Sequence, residues 1–399
     1  MSAHDPNEAP VQRTAMLPYG QQWLDEDDIN AVVQVLRGDW ITQGPMIPAF
    51  EQKVADYVGA TYAVAFTNGT AALHGACFAA DIGPGDEVIT TPMTFIASSN
   101  CVLYQDGIPV FADIDPCTYN IDPDQVETLI TPNTRAIIGV DFTGQPVAAD
   151  RLRQVADQHG LVFIEDAAHS IGASYKGTKV GKWAHMTMFS FHPVKHVTTG
   201  EGGVIVTDDE AYYRKLVQFR NHGMTKEPAE LLNNEGGWYY EMQTLGYNYR
   251  MTDLQAALGV SQMDKLDSFI ARRREIVQLY QSELEGLEGI VLPYQAPDAE
   301  SSWHLYSIRW LPEQFNCSRR ELFDQLRKLN IGVHVHYIPV YLQPYYQQLG
   351  YPKGLCLNAE HYYATCMTLP LFPKMTEQDV MDVCKAVHQV YEQNKVHNT

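Results

Sequence analysis

The sequence is short of positive charge. Its 399 residues hold 28 lysines and arginines against 48 aspartates and glutamates, a formal net charge of −20. A surface of that sign repels nucleic acid, so any phosphate must be held by local donors and not by a basic field. No run of about 18 apolar residues occurs, so no membrane span is expected. No basic segment followed by an apolar run opens the chain, which places it in the cytoplasm by expectation. The seven cysteines, at 77, 101, 117, 317, 356, 366 and 384, show neither Cys-x-x-Cys nor a Cys/His zinc spacing. Their odd count and apolar surroundings read as small core residues in a reducing compartment. Internal repeats and low-complexity tracts are also missing.

Hydrophobic residues make up 45% of the chain, enough for two cores in a chain of this length. Residues 1–17 are polar and irregular and read as an N-terminal arm. A helix is predicted over about 27–37, with Ile29, Val32, Val33 and Leu36 on one face, and a second through Phe50, Val54, Tyr57 and Val58. Seven strand candidates follow: Tyr62–Asn68, Glu87–Pro92, Ile108–Ile114, Arg135–Phe142, Leu161–Ala167, Met186–Phe191 and Gly203–Thr207. Most are near-continuous apolar runs, as expected of strands covered on both faces. Helical patterns near 70–80, 94–104, 123–129 and 149–159 separate the earlier ones. The expectation is an α/β domain over 18–260 with a seven-stranded, mostly parallel sheet. Thr252 and Gln255 form a capping box before a long helix, roughly 253–286, so that 261–289 links to a smaller α+β domain at 290–399. In that domain Trp303–Trp310 and Gly332–Tyr337 read as strands, and Arg319–Leu329 and Thr376–Tyr391 as helices.

Three constellations carry chemistry. Asn68-Gly69-Thr70-Ala71 follows a strand and opens a helix, where free N–H groups and small side chains make an anion site. The same pattern also suits an ordinary strand-to-helix turn. Phe163-Ile164-Glu165-Asp166 runs into an acidic pair at a strand's C-terminal end, where α/β sheets bind ligands. A carboxylate buried there needs a cation, which a protonated pyridine would supply. Helix capping by Asp166 and metal ligation by Glu165, Asp166 and His169 are the competing readings. Lys195 sits just past an apolar strand that ends in Ser190, before the Gly-rich return Gly200–Gly203. A lysine in an apolar pocket loses part of its preference for the ammonium form and becomes a usable nucleophile, although most lysines are solvated loop residues. Together the three supply a phosphate cradle, a pyridinium partner and a Schiff-base lysine. Those are the parts of a pyridoxal 5′-phosphate (PLP) site.

These motifs resemble those of the DegT/DnrJ/EryC1/StrS sugar aminotransferases, a family of the fold-type I PLP enzymes. The resemblance extends to Trp40–Pro45, Thr90–Phe95 and Gly246–Ala257 and covers about residues 18–392. It implies that Lys195 forms the Schiff base, that Asp166 pairs with the pyridine nitrogen and that His169 lies near the ring's 3-oxygen. Phe95 would stack on the ring. Gly69, Thr70, Ala71 and Ser190 would hold the phosphate. Asn248 would reach the phosphate of a neighbouring subunit's cofactor, which implies a homodimer with active sites shared across the interface. A dehydratase branch of the family carries histidine where Lys195 stands, so the lysine implies amino transfer.

Gly332–Tyr341, Tyr345–Leu349, Ser190–His192 and Val140–Gly144 further resemble the pseudaminic-acid branch of the family. That implies amination of the C4 keto group of UDP-4-keto-6-deoxy-N-acetyl-β-L-altrosamine, with L-glutamate as donor. Tyr19, Thr42, His336 and Tyr337 are candidates for the sugar pocket, and the aromatic stretch Tyr337–Tyr351 for stacking on a base or for core packing. His334 and His336, two apart, are a conceivable metal pair, but with no third ligand evident no metal is expected.

Overall fold

A computed structural model of the chain describes residues 13–396. Its centre is a seven-stranded sheet in the order Tyr62–Phe66, Gly203–Thr207, Met186–Ser190, Val162–Asp166, Thr134–Val140, Glu87–Thr90 and Ile108–Phe111. Gly203–Thr207 runs against both neighbours and the other strands are mutually parallel. All seven are segments that the apolar runs predicted. Met186–Ser190 and Gly203–Thr207 are buried at every position. Both faces of the sheet are covered, and alternate side chains along one strand enter different cores. Val64 and Phe66 pack with the helix Gly69–Ala79, while Ala63 and Ala65 pack with Met46–Val58.

Parallel strands joined by helices leave their C-terminal ends along one edge of the sheet. Asn68, Asp166 and Ser190 arrive there from three different strands. The helix Gly69–Ala79 starts where it does because the Asn68 side chain accepts the Ala71 N–H at 2.8 Å.

A second core surrounds a three-stranded antiparallel sheet of Ile290–Val291, Tyr306–Trp310 and Cys366–Leu369. The helices Arg319–Lys328 and Glu377–Asn394 cover it. The long helix expected over 253–286 is two helices, Asp253–Met263 and Leu266–Leu284. They break where Lys265 turns to pair with Asp25 and Asp28. Leu266, Phe269 and Ile270 of the second helix belong to the core under the large sheet. Ile276, Val277, Tyr280 and Leu284 belong to the smaller one.

Other elements also differ from expectation. Gly332–Tyr337 is not a strand: a single bridge, His334 to Thr368, ties it to the small sheet. His334, His336 and Tyr337 turn to the cavity described below, while Val333 enters the second core. The helices Glu210–Arg220 and Leu357–Thr365 and the strand Cys366–Leu369 were not foreseen. Tyr341 and Tyr346 lie wholly in a core with Phe111 and Tyr362, so this part of the aromatic stretch is packing and not a base-stacking surface. Of the polar arm, residues 1–12 lie outside the described residues. Leu17 is buried against the second core, and Arg13 pairs with Asp379 and Asp382.

Phe50 shows how tightly the helices meet the sheet. It is fully buried and meets Phe191 edge-on, with ring centroids 5.0 Å apart. A Cβ on Gly259 would lie 2.6 Å from its ring, so glycine is the residue that lets the next helix approach. Phe50→Ala removes this ring without room for collapse and is expected to cost about 3–5 kcal/mol, read as a lower urea midpoint. An unchanged midpoint contradicts the packing.

Candidate active site

At the C-terminal edge of the large sheet lies a cavity of about 880 Å³. Its floor is the end of the strand Val162–Asp166. The buried Asp166 accepts the Ser98 hydroxyl on Oδ2 at 2.6 Å and the Ala168 N–H on Oδ1 at 3.1 Å. Burial raises its pKa, against the lowering effect of Ser98, Ala168 and the nearby Lys195. No helix begins at Asp166, so its local hydrogen bond closes a turn and is not a helix cap.

Glu165, the neighbouring acid, points to the other side of the strand. Its Oε2 accepts from Thr187 Oγ1 at 3.0 Å, and burial lifts its pKa to about 7. Among the described residues no three His, Cys, Asp or Glu side chains are arranged to hold a metal ion. The rings of His334 and His336 stack, with centroids 4.6 Å apart, and do not converge on a point as ligands would.

Lys195 stands in the turn after the strand Met186–Ser190, where its N–H bonds the His192 carbonyl at 2.9 Å. Packing around the amine lowers its pKa to about 8, while Asp166 pulls the other way. On the adjacent wall the helix Gly69–Ala79 points its N-terminus at the Ser190 hydroxyl: a Cβ on Gly69 would lie 3.4 Å from Ser190 Oγ. The N–H groups of Gly69 and Thr70, in the first turn, have no intrahelical acceptor. Gly69, Thr70 and Ser190 all line the cavity.

The opposite wall is histidine-rich. His169 is buried, with Nε2 3.3 Å from the Tyr337 hydroxyl. Burial, with the Lys195 charge, holds it neutral far below the usual imidazole range. Tyr19 packs against both His334 and His336, each at 5.2 Å between centroids. His336 Nδ1 is 2.9 Å from Thr368 Oγ1, and burial pushes its pKa down to about 3. Phe95, 56% exposed, stands at the rim.

The cavity therefore gathers Lys195, Asp166, His169, Gly69, Thr70, Ala71, Ser190, Phe95, Tyr19, His336 and Tyr337. Two predicted residues are not brought in. Thr42 pairs with Thr252, and Asn248 with Asn221, outside it. Sequence reasoning missed Ser98 and His304. Ser98, whose hydroxyl also lies 2.7 Å from that of Thr94, had no signal beyond its place early in a predicted helix. His304 had none, because a lone histidine in an apolar strand reads as core.

These residues fit PLP. The buried Asp166 carboxylate wants a cation such as a pyridinium. The Gly69 helix terminus and Ser190 can hold a phosphate. The Lys195 amine is poised to bond an aldehyde carbon.

Comparison with known proteins agrees. Residues 22–388 match the model of the DegT/DnrJ/EryC1/StrS aminotransferase family. The spore coat polysaccharide biosynthesis protein SpsC of Bacillus subtilis is 41% identical over 95% of this chain and 98% of its own length. Among solved structures, Helicobacter pylori PseC, an aminotransferase of pseudaminic acid biosynthesis, aligns with a TM-score of 0.89. It is 31% identical over 95% of this chain and 100% of that one. Spr1654 from Streptococcus pneumoniae, a sugar aminotransferase by its description, aligns with a TM-score of 0.88 in its PLP form, at 32% identity over 95% and 99%. The site and fold define a PLP-dependent transaminase. The chain belongs to the DegT/DnrJ/EryC1/StrS family of sugar aminotransferases.

The lowered pKa of Lys195 has a direct test. A lysine attacks PLP only after losing its proton. With its pKa brought from 10.5 to about 8, capture of PLP by the cofactor-free protein should accelerate through pH 8. Asp166→Asn removes the charge that holds the proton on, so its midpoint should fall below that of the wild type. Stopped-flow absorbance reads both. A wild-type midpoint at the ordinary lysine value contradicts the burial of the amine.

Proposed function

We propose that this chain moves an amino group from L-glutamate to the C4 keto group of a nucleotide-linked 4-keto-6-deoxy sugar, UDP-4-keto-6-deoxy-N-acetyl-β-L-altrosamine. The observation that carries the chemistry is the meeting of Lys195, Asp166 and the Gly69 helix terminus in one cavity. The likeness to PseC supports this sugar.

Bound PLP serves as an electron sink while a proton leaves the donor's α-carbon. The protein's part follows from its geometry. Asp166, fixed by Ser98 and the Ala168 N–H, keeps a proton on the pyridine nitrogen. The Gly69 and Thr70 N–H groups and Ser190 hold the phosphate; Ala71, expected to share in this, has its N–H bonded to Asn68. The Lys195 amine, with its pKa near 8, accepts and returns the proton at the reacting carbons as general base and acid. His169 stays neutral and offers a hydrogen bond without adding a charge beside Lys195. Tyr19, His336 and Tyr337 line the mouth, where the acceptor sugar enters.

A homodimer completes the reading. Among the described residues Lys195 is the only lysine or arginine lining the cavity, too little for a phosphate, a dicarboxylate donor and a diphosphate sugar. Asn248 and Thr42 border a separate hollow lined by Gln43, Asn221 and Arg250. Leu232 and Trp238 are 86% and 73% exposed, apolar side chains that a second copy could cover. We place Asn248 of one subunit against the cofactor phosphate of the other, in a cytoplasmic enzyme.

Lys195→Ala is expected to abolish transamination and the covalent attachment of PLP. Turnover of wild-type size in that variant would overthrow the site. The acceptor is settled by incubating the enzyme with glutamate and a panel of UDP- and dTDP-4-keto-6-deoxy sugars, read by mass spectrometry and NMR. Amination of a different sugar in preference to the altrosamine rejects the substrate but keeps the chemistry.

A further inference from the structure

Arg273 lies in the helix Leu266–Leu284 with no exposed surface and, among the described residues, no carboxylate against it. Burial alone lowers its pKa to about 9. A guanidinium so placed is costly unless its hydrogen bonds do something that an apolar side chain cannot. Nη1 donates to three carbonyls, those of Trp303 at 3.2 Å, His304 at 3.2 Å and Leu371 at 2.9 Å. The Leu371 N–H in turn bonds the carbonyl of Tyr19. Nε and Nη2 find no acceptor among the described residues. The cation thus gathers the backbone of His304, which lines the cavity, and of Leu371, which holds the cavity residue Tyr19.

The first of those segments is held in a conformation that needs holding. Trp303 has φ +54°, in the left-handed region that L side chains disfavour. Around it, the Ser302 hydroxyl donates to the His169 carbonyl at 3.1 Å, and the Ser302 N–H to the Gly144 carbonyl at 3.0 Å. Gly144, at φ +106°, must be glycine, since a Cβ there would lie 2.8 Å from the His304 nitrogen. The result is that the buried imidazole of His304 lines the cavity, its ring centroid 4.5 Å from that of His169. His304 Nδ1 has no partner among the described residues.

We infer that His304 is a further residue of the active site, contacting bound substrate or cofactor, and that Arg273 is the positioning residue that sets it there through the backbone of Trp303 and His304. The inference rests on the reading of this cavity as the transamination site. Asparagine or methionine at these positions leaves Lys195 and Asp166 in place, so PLP should still bind.

A double-mutant cycle separates positioning from simple support. Wild type, Arg273→Met, His304→Asn and the double variant are compared by kcat/KM for the sugar, by the visible absorption of bound PLP and by Tm. Each single change is expected to lower kcat/KM by up to about 100-fold, the scale for a misplaced site group, with PLP absorption retained. In the His304→Asn background, Arg273→Met should lower Tm again but kcat/KM no further, and Arg273→Lys should recover part of the rate only where His304 is present. Losses that multiply, or a His304→Asn enzyme as fast as wild type, overturn the inference. If Arg273→Met does not fold, Arg273→Lys takes its place in the cycle with the same criteria. The outcome is independent of the parent reading: a dead Lys195→Ala enzyme with a multiplicative cycle removes only the role of Arg273 and His304.

Discussion

The pairing of a buried carboxylate with a buried amine governs the large domain. Asp166 is a poor place for a charge: burial favours its neutral acid, and only Ser98, one backbone N–H and the Lys195 side chain offset this. Lys195 is the mirror case, its ammonium disfavoured by packing and sustained by Asp166. In a low-dielectric setting each group's state depends on the other. A ring nitrogen that takes a proton beside Asp166 relieves the first cost. Bonding of the amine to an aldehyde relieves the second. The protein is thus arranged so that the cofactor removes two unfavourable charge placements at once.

The sheet topology is what makes this pairing available. Val162–Asp166 and Met186–Ser190 are adjacent parallel strands, with Asp166 opposite Met188 in register. The turn that carries Lys195 therefore leaves the sheet beside Asp166. The antiparallel strand Gly203–Thr207 then brings the chain back between Met186–Ser190 and Tyr62–Phe66, which puts Ser190 next to the helix terminus at Gly69. A register slip by one residue would bury Lys195's neighbours and turn Asp166 away from the cavity. Glu165, one residue earlier, shows that alternative: it is held by Thr187 on the far face, where it can touch no ligand.

How much of this could be read from the sequence follows from the same physics. Strands covered on both faces must be apolar runs, so all seven strands of the sheet were visible. Asp166, Ser190 and Lys195 were visible because a charge or hydroxyl at the end of such a run is conspicuous. The second core was less legible. Leu357–Thr365 has polar and aromatic residues all round and little amphipathic contrast, and Gly332–Tyr337 alternates like a strand although its histidines and Tyr337 line the cavity. The break at Lys265 was hidden in the sequence, since the ion pairs found there, to Asp25 and Asp28, join residues more than two hundred positions apart. Thr42 and Asn248 lie outside the cavity of their own chain.

The smaller core is joined to the larger by one helix that belongs to both. Leu266–Leu284 begins against the large sheet and ends in the small one, so its rigid length sets the distance between them. Arg273 sits between its two apolar stretches, where a leucine would have packed with less cost. What the cation adds is direction. It collects carbonyls from Trp303, His304 and Leu371, and Leu371 binds Tyr19. Tyr19 packs on His334 and His336 at the cavity mouth. The histidine wall thus hangs from the second core, while the amine and the acid stand on the first. Any change in the angle of that helix would move the wall against Lys195. A buried cation bonded to three carbonyls resists such a change more stiffly than apolar packing, because its hydrogen bonds are directional and have no water to replace them.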